Sequence, residues 1–373
     1  MAALLAARLE RLHPAYFAMV MATGVLSIAA RLQDVPYLPR LLLWLNLGLY
    51  ATLWLLTLAR VVRFPRSFLA DWSDHQRGVG FFTTVAATCI VGTQLVVLDH
   101  AVAAGRVLFW IGLGLWATCM YAIFTALTVR EHKPTLSEGI NGGWLAAIVA
   151  TQSLCVLGGL LSPSFVASQR ELLHFMLLAL WLCGGMLYIW TISLIFYRYT
   201  FFRFLPSDLM PPYWINMGAM AISALAGSTL IHIAPDSKLL TSMLPFLKGF
   251  TLWYWATATW WIPMLVILAI WRHVVKRFPL SYDPLYWGAV FPLAMYTTSS
   301  HRLAGAIEMP ALLALPHVFL WVALAAWGLT FTGLVVHLVR AVQAIPGPAT
   351  ELAEKAVDLA VKDPEVVTAA EAR

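Results

Sequence analysis

The sequence predicts an all-α integral membrane protein, with ten transmembrane helices set as five helical hairpins in a pseudo-five-fold arrangement around a central axis. Three observations carry this expectation. The 373 residues are 61% hydrophobic and only 11% charged, with a mean hydropathy of +0.78, too little charge for the surface of a soluble protein of this size. The apolar residues recur as continuous blocks of roughly 20, the length that crosses bilayer hydrocarbon as a helix and unlike the short alternating segments of a barrel. The blocks also alternate in kind, one rich in small and hydroxyl residues and the next in bulky aromatics.

The chain opens with MAALLAARLERLHP. Arg8, Glu10 and Arg11 interrupt its apolar residues and a proline precedes the first block, so it reads as a short amphipathic lead-in and not as a signal peptide. Spans follow at 14–30, 41–59, 79–98, 107–129, 141–161, 172–197, 213–234, 249–271, 284–301 and 313–339. The connectors alternate in charge. Fourteen Lys and Arg lie on the side that holds the N-terminus, from Arg8 to Arg340, against seven on the other. That excess places both termini in the cytoplasm; the expected location is the cell inner (plasma) membrane. The net charge of +6 belongs to these connectors beside lipid headgroups, so it is no nucleic-acid signal. The transmembrane domain is expected at 12–341. An Ala-rich, acidic cytoplasmic tail at 342–373 carries no assigned chemistry.

Thirteen of the 17 tryptophans fall in the even-numbered spans, as in "LWYWATATWWIPMLVILAIW". The odd spans read like "GVGFFTTVAATCIVGTQL". Small residues let helices approach closely, whereas aromatics suit a lipid-facing shell. The odd spans therefore form an expected inner ring, and their spacing of 62–74 residues is one hairpin each. An ordinary ten-helix bundle is the alternative. Cys89, Cys119, Cys155 and Cys183 all lie inside apolar blocks, as packing residues and not as a disulfide framework.

The spans hold almost no charged side chain, which argues against a proton pump or a carboxylate-based cation exchanger. What the odd spans offer is neutral and polar: Thr23 and Ser27, Thr84 and Thr88, Gln152, Asn216 and Ser223, Thr297 and Thr298. Such groups can donate hydrogen bonds to an anion, and they equally suit bonding between helices. Candidate pore-lining residues are Phe17, Thr23, Thr84, Thr88, Gln152, Asn216, Ser223, Met295 and Thr298. Arg31 and Arg302 stand on the side where positive charge is scarce and are candidates for attracting anions, whereas positive-inside bias accounts for Arg77.

The stretch "WGAVFPLAMYTTSSHRLA" at 287–304 carries a proline inside a span. Pro292 cannot donate to the carbonyl of residue 288, which is Gly288, so a kink there costs little. From Phe291 a helical stripe runs through Met295 and Thr298 to Arg302. A phenyl ring across a narrow axis would be a hydrophobic constriction; the other reading is ordinary packing.

With "HPAYFAMVMATGVLSIAA" at 13–30, "GVGFFTTVAATCIVG" at 78–92 and "YWINMGAMAISALAG" at 213–227, this stretch resembles the tellurite-resistance/dicarboxylate transporter family. That family includes bacterial tellurite-resistance proteins, fungal malate permeases and plant slow-type anion channels. The resemblance covers about residues 12–340. It implies a central pore within ten helices, frequent assembly as a homotrimer in the lipid bilayer, anions as substrates, and neither enzymatic activity nor a cofactor. It also implies that a phenylalanine of the ninth helix, here Phe291, occludes the pore as its gate. The cargo stays open among chloride, nitrate, sulfite and C4-dicarboxylates such as malate. A channel and a proton-linked dicarboxylate or sulfite exporter both fit. A haem-binding membrane oxidoreductase using His174, His232 or His337 is a remote alternative, since no Cys-x-x-Cys-His motif supports it.

Overall fold

In the computed structural model, residues 2–343 are described, and over that range the chain is helical without a strand. The tail expected at 342–373 lies, from residue 344 on, outside the described residues. Ten long helices succeed one another: α1 (Phe17–Leu32), α2 (Leu38–Arg63), α3 (Phe82–Asp99), α4 (Val102–Val129), α5 (Ala146–Leu161), α6 (Ala167–Phe201), α7 (Ile215–Ile233), α8 (Leu244–Ile270), α9 (Trp287–Ala306) and α10 (Ala314–Gln343). Among the described residues, nine helices are long and apolar enough to cross a membrane. The exception is α9, whose proline and run of hydroxyls lower its hydropathy. Every residue from Val290 to Ser300 is buried, so α9 does not depend on contact with lipid.

Burial follows the parity read from composition. In the most apolar stretches of α1, α3, α5 and α7, 78–94% of residues are buried, against 17–50% in α2, α4, α6, α8 and α10. The inner helices pack in sequence: α1 on α3, α3 on α5, α5 on α7, α7 on α9, and α9 back on α1. Each outer helix packs on its own hairpin partner. The exposed aromatics, among them Trp44, Trp110, Trp190, Trp260 and Trp321, lie on the outer helices.

Lipid tails are as apolar as leucine, so close packing and hydrogen bonds hold membrane helices together. One bond type recurs from hairpin to hairpin. The Tyr50 hydroxyl of α2 lies 2.9 Å from Thr88 Oγ1 of α3. Trp116 Nε1 of α4 donates to Thr151 Oγ1 of α5 at 2.8 Å. Trp181 of α6 donates to the Ser223 carbonyl of α7 at 2.9 Å. Trp255 of α8 donates to Ser300 Oγ of α9 at 2.9 Å, and Trp327 of α10 donates to Thr23 Oγ1 of α1 at 3.0 Å. Each outer helix thus reaches the inner helix of the next hairpin, and the last bond closes on the first.

Every inner helix begins with a short 3-10 turn: Pro14–Tyr16, Gly78–Phe81, Gly142–Leu145, Pro211–Trp214 and Pro284–Tyr286. The residues capping these turns, His13, Arg77, Asn141, Met210 and Asp283, occupy one equivalent position in the five hairpins.

Candidate functional site

Two cavities lie along the axis of the inner ring, and all five inner hairpin segments line both. The proximal chamber, where the inner helices begin, has about 80 Å³ open to water-sized groups. It is bounded by His13, Ala15 and Ala18, by Gln76, Gly80 and Thr83, by Asn141 and Ala146, by Met210 and Ile215, and by Leu285 and Gly288. Farther along, a smaller axial cavity of about 40 Å³ takes Val25 and Ile28 from α1, Ile90 and Thr93 from α3, and Ser153 and Val156 from α5. From α7 come Ile222, Leu225 and Thr229, and from α9 Met295, Thr298 and Arg302. The three- and four-residue steps are those of one helical face.

On every inner helix, seven residues, two turns, separate the last residue lining the chamber from the first lining the axial cavity. On α9, Gly288 lines the chamber and Met295 the axial cavity, and Phe291 sits between them in the same register. The same stepping selects Met21 between Ala18 and Val25, Ala86 between Thr83 and Ile90, Val149 between Ala146 and Ser153, and Gly218 between Ile215 and Ile222. All five positions are buried, and Phe291, the largest, is 1% exposed. Helix α9 runs unbroken through Pro292.

The axial cavity opens toward a distal vestibule of about 630 Å³, with which it shares Leu160, Thr229 and Arg302. The vestibule adds Lys248, His232 and His301, with Glu308 as its carboxylate. Arg302 makes no ion pair among the described residues, whereas Arg31, more than half exposed, is bound to Asp34 at 3.0 Å. Within the axial cavity, the Ser153, Thr298 and Thr229 hydroxyls donate to carbonyls of their own helices, at 2.7, 3.1 and 2.9 Å.

Of the residues singled out from sequence, Met295, Thr298 and Arg302 line the axial cavity and Gly288 the chamber. The other candidate pore-lining residues are engaged either by outer helices or by carbonyls of their own segment. Phe17 packs edge-on against Trp54 of α2 at 5.3 Å. Thr23 and Thr88 accept or share the aromatic bonds described above. Thr84 donates to the Phe81 carbonyl at 2.7 Å. Gln152 donates to the Trp181 carbonyl at 3.0 Å, Asn216 to the Tyr199 hydroxyl at 3.2 Å, and Ser223 to the Ala219 carbonyl at 2.7 Å. None of these seven lines either cavity. A buried polar group is held by whatever partner satisfies it, and for these the partner is a neighbouring helix or a local carbonyl. The three histidines considered for haem are scattered. His174 lies 2.6 Å from Ser162 Oγ, His232 lines the vestibule, and His337 stands against Tyr282.

Sequence reading missed Thr93, Ser153 and Thr229 in the axial cavity and His13, Gln76 and Asn141 at the chamber. The capping residues had a signal, since His13-Pro14 and Asn141-Gly142 are helix-start dipeptides at the repeat spacing. The chamber mouth is braced by charge. Asp71 bonds Arg60 at 2.8 Å and Arg77 at 2.7 Å, and Arg60 and Arg77 also donate to the carbonyls of Glu10 and Leu12 at 2.9 and 3.1 Å. His13 Nδ1 accepts from the Ala15 N–H at 3.1 Å. Burial, then the nearby Arg77 guanidinium, lowers the His13 pKa to about 4. Its ring is therefore neutral near pH 7 and, with Nδ1 accepting, carries its proton on Nε2.

The sequence profile described as SLAC1, voltage-dependent anion channel, matches residues 11–335. An uncharacterized membrane protein of Mycobacterium tuberculosis is 40% identical over 152 residues, 41% of this chain and 77% of that protein. An uncharacterized transporter of Methanocaldococcus jannaschii is 26% identical over 324 residues, 85% of this chain and 90% of that protein. A second uncharacterized transporter from the same organism is 26% identical over 302 residues, 79% of this chain and 85% of that protein. The match spans nearly all of the helical region, in agreement with the resemblance read from residues 13–30 and 287–304, and the chain belongs to the SLAC1 family of voltage-dependent anion channels.

Proposed function

We propose that this chain passes small anions across the plasma membrane, as a channel or carrier, through the axis of its inner ring, and that Phe291 closes that path. In this reading all ten helices cross the bilayer as five hairpins in pseudo-five-fold order. The chamber end faces the cytoplasm, as the fourteen-to-seven excess of Lys and Arg favours. The exposed aromatic faces of the outer helices meet lipid and, in a homotrimer, neighbouring copies. The cargo class is small inorganic anions or C4-dicarboxylates such as malate.

The observation that carries the proposal is the position of Phe291, one turn from each of two cavities that all five inner hairpins line. A dehydrated ion at that level would meet apolar atoms and lose water with nothing to replace it. Beyond it, Arg302 is the single cation on the axial cavity and faces no carboxylate there, which favours negative charge. The Phe291→Ala variant, reconstituted in liposomes, tests this. Anion flux should rise well above that of the wild type while the detergent-solubilised melting temperature stays close to it. A folded variant with unchanged flux would reject the gate. A packing role alone would appear as a loss of about 3–5 kcal/mol of stability without gain of flux.

A further inference from the structure

The proximal chamber holds two side chains whose acceptor atoms are already used. Asn141 caps the turn before α5, and its Oδ1 accepts from the Gly143 N–H at 2.7 Å. The residue is only 6% exposed, lines the chamber, and its Nδ2 has no acceptor among the described residues. His13 occupies the equivalent position in the first hairpin, with Nδ1 accepting from the Ala15 N–H. Both caps fix their side chains so that only donors remain, the Asn141 amide Nδ2–H and the His13 Nε2–H.

From these donors and the chamber they line, we propose that the proximal chamber is an anion-binding station, where Asn141 Nδ2–H and His13 Nε2–H hold a partly dehydrated halide-sized monoanion before it meets Phe291. This deepens the anion-transport reading and rests on it. The space of about 80 Å³ suits one such ion with a retained water.

No carboxylate lines the chamber, and the acidic groups around its mouth are engaged elsewhere. Asp71 is paired with Arg60 and Arg77. Asp74 Oδ1 accepts the N–H groups of Gln76 and Arg77, and Asp283 accepts that of Leu285. Glu138 closes the capping box on Thr135. Thr83 is not a competing donor, because its hydroxyl is spent on the Gly80 carbonyl at 2.7 Å. A cation would find no negative partner at this level, whereas an anion finds two neutral donors. Neutral donors hold an ion without trapping it, as passage requires.

The test is equilibrium binding of radioactive chloride to the purified full-length protein, compared with Asn141→Asp, Asn141→Ser and, as a control on the exposed face of the outer helix α4, Thr118→Ala. Asp and Ser cap a helix about as well as Asn, so the turn before α5 is kept while the amide donor is lost. Saturable chloride binding is expected in the wild type and in Thr118→Ala. It should fall about tenfold or more in Asn141→Asp, where a carboxylate faces the ion, and several-fold in Asn141→Ser. Melting temperatures close to that of the wild type establish that the variants are folded, and the Ser variant serves if the Asp variant is not. Absence of saturable binding in the wild type, or wild-type binding in a folded Asn141 variant, would each overturn the proposal. Because the readout is binding and not flux, the two ideas separate. Chloride held at Asn141 with no flux gain in Phe291→Ala would leave the chamber standing and remove the gate.

Discussion

Gly218 of α7 and Pro292 of α9 are in such close apposition that a Cβ built at 218 would fall 2.7 Å from Pro292 Cγ and 3.0 Å from its Cβ. The proline ring beside Phe291 is therefore seated on a glycine of the neighbouring inner helix, and the contact fixes how α9 sits in the ring. Gly218→Ala forces a methyl into that ring and should cost about 1–3 kcal/mol as overpacking. Gly288 is different, since a Cβ there would meet Pro212 Cα at 3.5 Å, an ordinary contact. Gly288→Ala should be neutral or slightly stabilising, as alanine is the better helix former. Thermal melts of the two variants in detergent check the contrast. Equal melting temperatures would show that the α7–α9 contact yields.

Arg302 stands where the axial cavity meets the vestibule, so its effect on anions should be that of a field. In the Phe291→Ala background, Arg302→Gln should reduce anion flux several-fold at low ionic strength and much less near 1 M salt, where the Debye length is about 3 Å. A salt-independent loss would mean that Arg302 coordinates the ion directly or supports the helix end.

Asp71 joins the end of α2, the short helix Pro65–Trp72 and the start of the third-helix hairpin through Arg60 and Arg77. Arg60 is 3% exposed. Asp71→Ala leaves a buried guanidinium without its carboxylate and should destabilise by about 3–5 kcal/mol. Converting Arg60 to Met in the same protein should recover part of the loss. The measurement is thermal stability with limited proteolysis of the 64–77 connector, and full stability of the single variant would count against the brace.

The His13 ring titrates near 4 in the folded protein against 6.5 when unfolded. Between those values the unfolded chain binds more protons, so stability is complete above about pH 6.5 and declines as the pH falls toward 4. The part due to His13 is on the order of 1–3 kcal/mol. His13→Asn keeps an acceptor for the Ala15 N–H without titrating, so its melting temperature should fall less than the wild type's between pH 7 and 4.5. Parallel pH profiles would show that His13 is not the group responsible.

The sequence by itself determined where the long helices lie and which of them are inner. Both are properties of each block's own composition. A continuous apolar run of about 20 residues makes a span, and small residues against bulky aromatics divide close-packed helices from exposed ones. It also placed Phe291 next to Pro292 on a stripe with Met295, Thr298 and Arg302, because three- and four-residue spacing on one helix needs no knowledge of neighbours. Only the tertiary structure decided how each inner helix is rotated. These helices are apolar nearly all round, so no polar face marks the axis in advance. Thr88 and Thr93 are equally plausible on paper, as are Gln152 and Ser153. The choice rests on partners that come from elsewhere in the chain. Tyr50 engages Thr88, Trp327 engages Thr23, and the Trp181 carbonyl takes the Gln152 amide. In a medium without water a buried polar group turns toward whatever can hydrogen-bond it. That turn leaves Thr93, Ser153 and Thr229 on the axis and seats Asn141 and His13 at its mouth.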